Sequence, residues 1–197
     1  LSDEQKVKEL VLSGLNHIII SVDGTTQEVY EQYRKGGDLG NVISGIKTLV
    51  KMKKELKSET PFVEIQFLVM SHNEHQIGGM RKLSRKLKVD KLSLKTTQIY
   101  SFENGNVLMP KNKKYCRYSK QKDGKYHIKG HLKNRCWKQW SSGVITTSGD
   151  FVPCCFDKNI KHSFGNLFDK PFRDIWNNKE ANEFRKAILG NRKDIDI

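Results

Sequence analysis

The sequence predicts an α/β fold followed by a smaller α+β segment that bears cysteines. Residues 1–100 alternate helical and strand patterns three times, which points to a parallel sheet with helices packed outside it. After Tyr100 the texture turns polar and basic, and two hairpin signals, clustered cysteines and two short helical patterns follow. No internal repeat interrupts this order.

Residues 3–14 place Val7, Leu10 and Val11 at helical spacing, with Gly14 as a stop. His17 to Val22 is a short apolar, β-branched run and predicts a buried strand closed by the turn Asp23-Gly24. A second helix is expected from an N-cap at Asp38, with Val42, Ile46, Leu49, Val50 and Leu56 forming its apolar stripe. Pro61 precedes a strand over Phe62–Met70. Asn73 is read as the cap of a basic amphipathic helix running to about Leu87, and Lys91–Thr97 alternates as a third strand. Three strands with right-handed crossovers suit part of a doubly wound sheet or part of a barrel equally well.

Further along, Asp123-Gly124 sits between Tyr115–Tyr118 and Tyr126–Ile128 and predicts a small hairpin. A second hairpin runs from Val144–Thr147 through Ser148-Gly149-Asp150 to Phe151–Pro153, and Cys154-Cys155 follow at once. Pro171 opens one terminal helix, and Glu180–Leu189 forms the other, with Gly190 as its end.

Composition bounds the function. The chain has 197 residues, 36% hydrophobic and 29% charged, enough to bury a core in one medium or two small domains. It holds no apolar run of membrane-spanning length and no signal-peptide pattern, so a cytoplasmic protein without a membrane partner is expected. The net charge is +14, and residues 111–138 hold eleven Lys and Arg against a single acidic residue, Asp123. That basic segment suits either a polyanionic partner, with Tyr115, Tyr118 and Tyr126 interleaved, or a solvated linker, and the linker is the favoured reading.

Four cysteines in a chain without a secretory signal point to metal or chemistry rather than disulfides. Cys136 and Cys154 are separated by a hairpin, which brings two distant thiols close, and thiolates are the natural ligands of iron–sulfur clusters and zinc. Cys155 is an adjacent candidate ligand, whereas Cys116 in the basic segment reads as a free thiol. A four-thiol site made from all four cysteines would suit zinc as well as iron. His72 and His75 stand three apart near a helix start, a ligand spacing more often used for capping, and His127, His131 and His162 read as surface residues. No Ser-His-Asp arrangement, phosphate-cradling loop or paired carboxylates stand out.

The order Cys136, twelve residues, Gly149, four residues, Cys154 resembles the opening motif of the SPASM domain of radical S-adenosylmethionine enzymes. That motif is Cys, nine to fifteen residues, Gly, four residues, Cys. The words CWKQWSSGVITTSGDFVPCCFDKN, FGNLFDKPFRDIWNN and FRKAIL are similar too, with Gly165-Asn166 and Ile175-Trp176 where such proteins have them. Independently, GLNHIIISVDGTTQEVYEQYRKGGDLGNVISGIKTLVKMK resembles the fourth strand and following helix of a radical SAM partial barrel.

The resemblance implies the last three strands of a six-stranded (β/α)6 partial barrel over residues 1–100, a basic linker over 101–135, and an incomplete SPASM domain over 136–197. It places Ser21 beside bound S-adenosylmethionine, with Asp23 as a second candidate. It also makes Cys136 and Cys154 the first two ligands of an auxiliary [4Fe–4S] cluster. The activity it implies is reductive cleavage of S-adenosylmethionine at another [4Fe–4S] cluster, giving a radical that abstracts hydrogen from a substrate. An electron donor is implied as a partner, and peptides and proteins are among the substrates it admits.

Two departures qualify this. No CxxxCxxC loop is present, since no cysteine precedes Cys116, and no later CxxC pair follows Cys155. With Leu1 at its start and Asp196-Ile197 at its end, the chain is therefore expected to be a piece of a longer enzyme, inactive alone. The competing reading is a non-enzymatic basic module that binds zinc and nucleic acid; metal content separates the two.

Overall fold

A computed structural model describes residues 1, 3–130 and 133–195, so His131, expected at the surface, lies outside the described residues. The chain divides into two compact units, Leu1–Lys129 and Gly130–Ile197.

The first unit contains α1 (Glu4–Leu12), β1 (His17–Ser21), α2 (Gln27–Tyr33), α3 (Leu39–Glu55), β2 (Phe62–Val69), α4 (Ile77–Leu87) and β3 (Lys91–Thr96). The three strands pair in the order β1-β2-β3, all parallel, in a register that aligns Ile20 with Ile65 and Leu92, and Ser21 with Gln66 and Ser93. Side chains of one parity (Val22, Ile65, Phe67 and Val69) pack with Ile46 and Met80 from the helices, and Val63 joins Val7, Val11 and Leu49. The other face carries exposed Ile19 and half-buried Ser21, Gln66 and Ser93. The helices thus form one layer, whereas a doubly wound sheet is covered on both faces.

Local chemistry explains most boundaries. Asp3 starts α1 by accepting from the backbone N–H of Gln5 at 2.9 Å and of Lys6 at 3.1 Å. Asp38 caps α3 as the sequence predicts, accepting from the Asn41 N–H at 2.9 Å.

Three features of this unit differ from expectation. The helix α2 carries no apolar stripe in its sequence, QEVYEQY, and buries only Tyr30, so periodicity does not reveal it. Asn73 does not cap a helix. Its Oδ1 accepts from the Met70 N–H at 2.7 Å, and its Nδ2 donates to the carbonyls of Leu68 and Asp23 at 2.9 and 3.0 Å. A short 3₁₀ turn, Glu74–Gln76, then leads into α4.

The third difference is the supposed linker, of which residues 101–129 belong to the first unit. Its backbone is tied to the loop after β2: the Leu108 carbonyl accepts from Ser71 N–H at 3.1 Å, and the Glu74 carboxylate accepts from the N–H groups of Lys111 and Asn112. Ile99, Phe102, Leu108, Met109, Cys116, Tyr118 and Tyr126 form a local apolar cluster. Within it, the Tyr118 hydroxyl accepts from Ile99 N–H at 2.6 Å and donates to the Ile99 carbonyl at 2.9 Å. The expected hairpin is present as β4 (Tyr118–Lys120) and β5 (Tyr126–Ile128).

The second unit contains α5 (Lys138–Ser141), β6 (Val144–Ile145), β7 (Asp150–Val152), β8 (Gly165–Asn166), α6 (Phe172–Trp176) and α7 (Lys179–Asn191). The predicted hairpin is β6-β7, and β8 adds an antiparallel third strand too short to leave a pattern. Gly190 lies inside α7 rather than ending it. Asn178 starts that helix by accepting from the Ala181 N–H at 2.8 Å. The core of the unit is Phe151, Phe164, Ile175, Ala181, Phe184 and Ile188, with Cys136, Leu167 and Trp176 packed against it. Among the described residues of both units, no helix is long and apolar enough to cross a membrane.

Candidate functional site

Two places carry the residues of interest, one in each unit. In the first, Ser21 is half-buried at the C-terminal end of β1, on the face of the sheet away from the helices. Asp23 behaves differently. It is fully buried, and both carboxylate oxygens are engaged: Oδ2 accepts from Arg34 Nε and Oδ1 from the Leu68 N–H, each at 2.7 Å. Asp23 therefore ties the loop after β1 to β2 and α2, which leaves Ser21 as the residue of the pair with a side chain on the open face.

The same loop explains Gly24. A Cβ there would stand 2.5 Å from the backbone nitrogen of Tyr30, so only glycine lets α2 approach. Gln76 completes the junction, accepting from Thr25 N–H at 2.7 Å and donating to Thr26 Oγ1 at 3.2 Å. Burial, together with His75, pulls the pKa of His72 below the usual histidine range, although nearby Asp23 acts in the opposite sense. His72 is half-buried and His75 exposed. Among the described residues, no three His, Cys, Asp or Glu side chains gather as a metal site.

The basic segment encloses a surface cavity of about 490 Å³ lined by Lys111, Lys113, Lys120 and Lys129 with Tyr118 and Tyr126. Lys129 is committed to structure there, donating to the carbonyls of Lys113 at 2.6 Å and Cys116 at 2.8 Å. Cys116 itself is buried in the apolar cluster of this unit, the environment of a core thiol.

In the second unit, Cys136 and Cys154 are both half-buried and free, whereas Cys155 is exposed. Gln139 joins their two segments. Its N–H donates to the Cys136 carbonyl at 3.0 Å, and its Nε2 donates to the carbonyl of Pro153, next to Cys154, at 3.3 Å. The hairpin between them turns at Gly149, where φ is +86° and a Cβ would stand 2.6 Å from the Phe168 ring. After the cysteines, Asp157 is buried and organises the loop: its N–H donates to the Cys154 carbonyl at 3.1 Å, and its carboxylate accepts from the N–H groups of Lys161 and His162 at 2.8 and 2.9 Å. Neither Gln139 nor Asp157 stands out in the sequence, because each acts through backbone partners.

Arg185, on α7, is another residue that the sequence did not mark. It is buried, donates from Nε to the Gln139 carbonyl at 2.9 Å, and leaves Nη2 with no partner among the described residues. Two free thiols and an orphaned cationic donor suit an anionic, thiophilic group such as an iron–sulfur cluster. Such a cluster needs four protein ligands, and among the described residues no three His, Cys, Asp or Glu side chains gather to supply them.

The comparisons with known proteins agree with this chemistry. Residues 136–196 match the family model of SPASM, the iron–sulfur cluster-binding domain. Among curated proteins, the GTP 3',8-cyclase of Nautilia profundicola is 23% identical over 216 residues, covering 90% of this chain and 65% of the cyclase. Among solved structures, a histidine-tagged anSMEcpe with bound AdoMet matches with a TM-score of 0.57 and 17% identity, covering 95% of this chain and 54% of the other. The chain thus spans about two thirds or less of the length of these relatives, and the structural match speaks for the fold alone. The reading as a zinc- and nucleic-acid-binding module is not favoured by any of these matches. Residues 136–196 thus match the SPASM iron–sulfur cluster-binding domain, and the chain that carries them is similar in sequence to a GTP 3',8-cyclase and in fold to an AdoMet-bound protein.

Proposed function

We propose that this protein works as part of a radical S-adenosylmethionine enzyme, with Cys136 and Cys154 giving the first two thiolates of an auxiliary [4Fe–4S] cluster. The observation that carries the reading is the SPASM match over residues 136–196, whose Cys136–Gly149–Cys154 frame folds as a hairpin with its two cysteine segments joined through Gln139. When bound, such a cluster supplies one-electron chemistry close to a substrate. The chain's own part is to hold it: α5 fixes the Cys136 segment, the Asp157 loop fixes the Cys154 segment, and the Phe151–Ile175–Phe184 core supports both.

In the first unit, Ser21, at the end of β1, would contact S-adenosylmethionine, and Asp23 holds the loop that would present it. A substrate and an electron donor would be the further partners, and S-adenosylmethionine, when bound, would supply the radical chemistry that modifies the substrate. Cys155, exposed beside Cys154, is a spare thiol rather than a third ligand.

Anaerobic reconstitution of the full-length protein with iron and sulfide tests the reading. The product should be brown and hold an auxiliary cluster that disappears in Cys136→Ser and in Cys154→Ser but survives in Cys155→Ser. Colourless protein holding a single zinc would overturn it in favour of the zinc-binding module.

A further inference from the structure

The buried face of α7 consists of Ala181, Phe184, Arg185 and Ile188. Three of these are apolar, as a core-facing stripe requires. The fourth is a guanidinium, 7% exposed. Its hydrogen-bond partners are all neutral: Nε donates to the Gln139 carbonyl at 2.9 Å, and Nη1 donates to the Trp176 carbonyl at 2.7 Å and to Asn182 Oδ1 at 3.3 Å. The guanidinium also lies over the Trp176 ring, 4.4 Å from its centroid. Among the described residues no carboxylate pairs with it, and Nη2 is buried without a partner. Burial pulls its pKa below the usual arginine range.

A buried cation with a free donor and no counter-charge is costly, and Met or Leu would fill the same space without that cost. The position therefore calls for an anion. Gln139, whose carbonyl Arg185 holds, is the residue that joins the Cys136 and Cys154 segments, and Cys136 packs against the apolar cluster that Phe184 and Ile188 help to form. A thiolate-ligated iron–sulfur cluster is negatively charged, and its charge grows on reduction.

Resting on the cluster assignment above, we propose that Arg185 is a positioning residue for that cluster, serving as its counter-cation and as a hydrogen-bond donor to its sulfurs. It thereby stabilises the reduced state, because charge and hydrogen bonds to sulfur both raise the reduction potential. The rival role is a mechanical clip that uses only its three carbonyl-type acceptors to fasten α5 and α6 to α7.

The test uses full-length protein, reconstituted anaerobically, and follows the paramagnetic signal that Cys136→Ser and Cys154→Ser abolish. In a redox titration, Arg185→Gln should shift the midpoint of that signal to more negative potential, with Arg185→Lys falling between it and the wild type. A second measurement covers variants that fold poorly: denaturation midpoints of wild type and Arg185→Met, each with and without iron. A counter-cation predicts that loading stabilises the wild type more than the variant; a clip predicts equal gains. An unchanged midpoint in Arg185→Gln, or equal gains on loading, overturns the role of Arg185 while leaving the cluster in place. If neither cysteine substitution abolishes a paramagnetic signal of the wild type, the cluster assignment is overturned, and the role of Arg185 with it.

Discussion

Ser21 and Asp23 are two residues apart, yet they do different work. Asp23 has both oxygens committed to Arg34 and to the Leu68 N–H inside the protein, whereas Ser21 stands half-buried on the uncovered face of the sheet. Asp23→Ala should destabilise the first unit by about 1–3 kcal/mol in chemical denaturation, since it leaves the half-buried Leu68 N–H without its acceptor. Ser21→Ala should leave that denaturation midpoint unchanged and weaken S-adenosylmethionine binding in equilibrium titration. Glu64 adds a pH dependence. Hydrogen bonding from Ser93, then Lys91 and His17 nearby, holds its carboxyl below the ordinary value even though burial opposes this. A depressed folded pKa stabilises the native state above the unfolded value and loses that contribution as pH falls through the folded one. The stability of the first unit should therefore decline as pH falls below 4.5, and Glu64→Gln should flatten this decline in acid denaturation curves.

At the scale of elements, the β6–β7 hairpin shows why the glycine in the cysteine frame is required. Gly149 has positive φ and no room for a Cβ beside Phe168 and Asn166. Gly149→Ala should cost about 1–2 kcal/mol from the left-handed backbone alone, with further loss from the clash, and it should lower the iron content of reconstituted protein. Helix α6 is only five residues long and depends on Ile175, which is fully buried against Phe151, Phe164 and Phe184. Ile175→Ala should destabilise the second unit by about 2–5 kcal/mol, read from denaturant titration of its tryptophan fluorescence. The strands β1 and β2 were plain in the sequence because β-branched runs between turn residues have few other solutions. The helix α2 was not, because only Tyr30 is buried and no stripe betrays it.

The whole molecule shows how far such reading reaches. The α/β alternation and the Cys136–Gly149–Cys154 frame could be read directly, since both rest on periodicity and spacing over short stretches of chain. That frame by itself resembles the SPASM family, and the match over residues 136–196 agrees with it. Only the tertiary structure decided which residues of those motifs are free to act. Asp23 is withdrawn by Leu68, 45 residues away; the basic segment is held to the first unit by Glu74, 37 and 38 residues from its partners; and Arg185 meets Gln139 across 46 residues. Local pattern fixes what a segment becomes, because helix and strand formation depend on near neighbours. The state of a polar side chain depends on whichever distant backbone group meets it in the folded core, and no spacing in the sequence records that meeting.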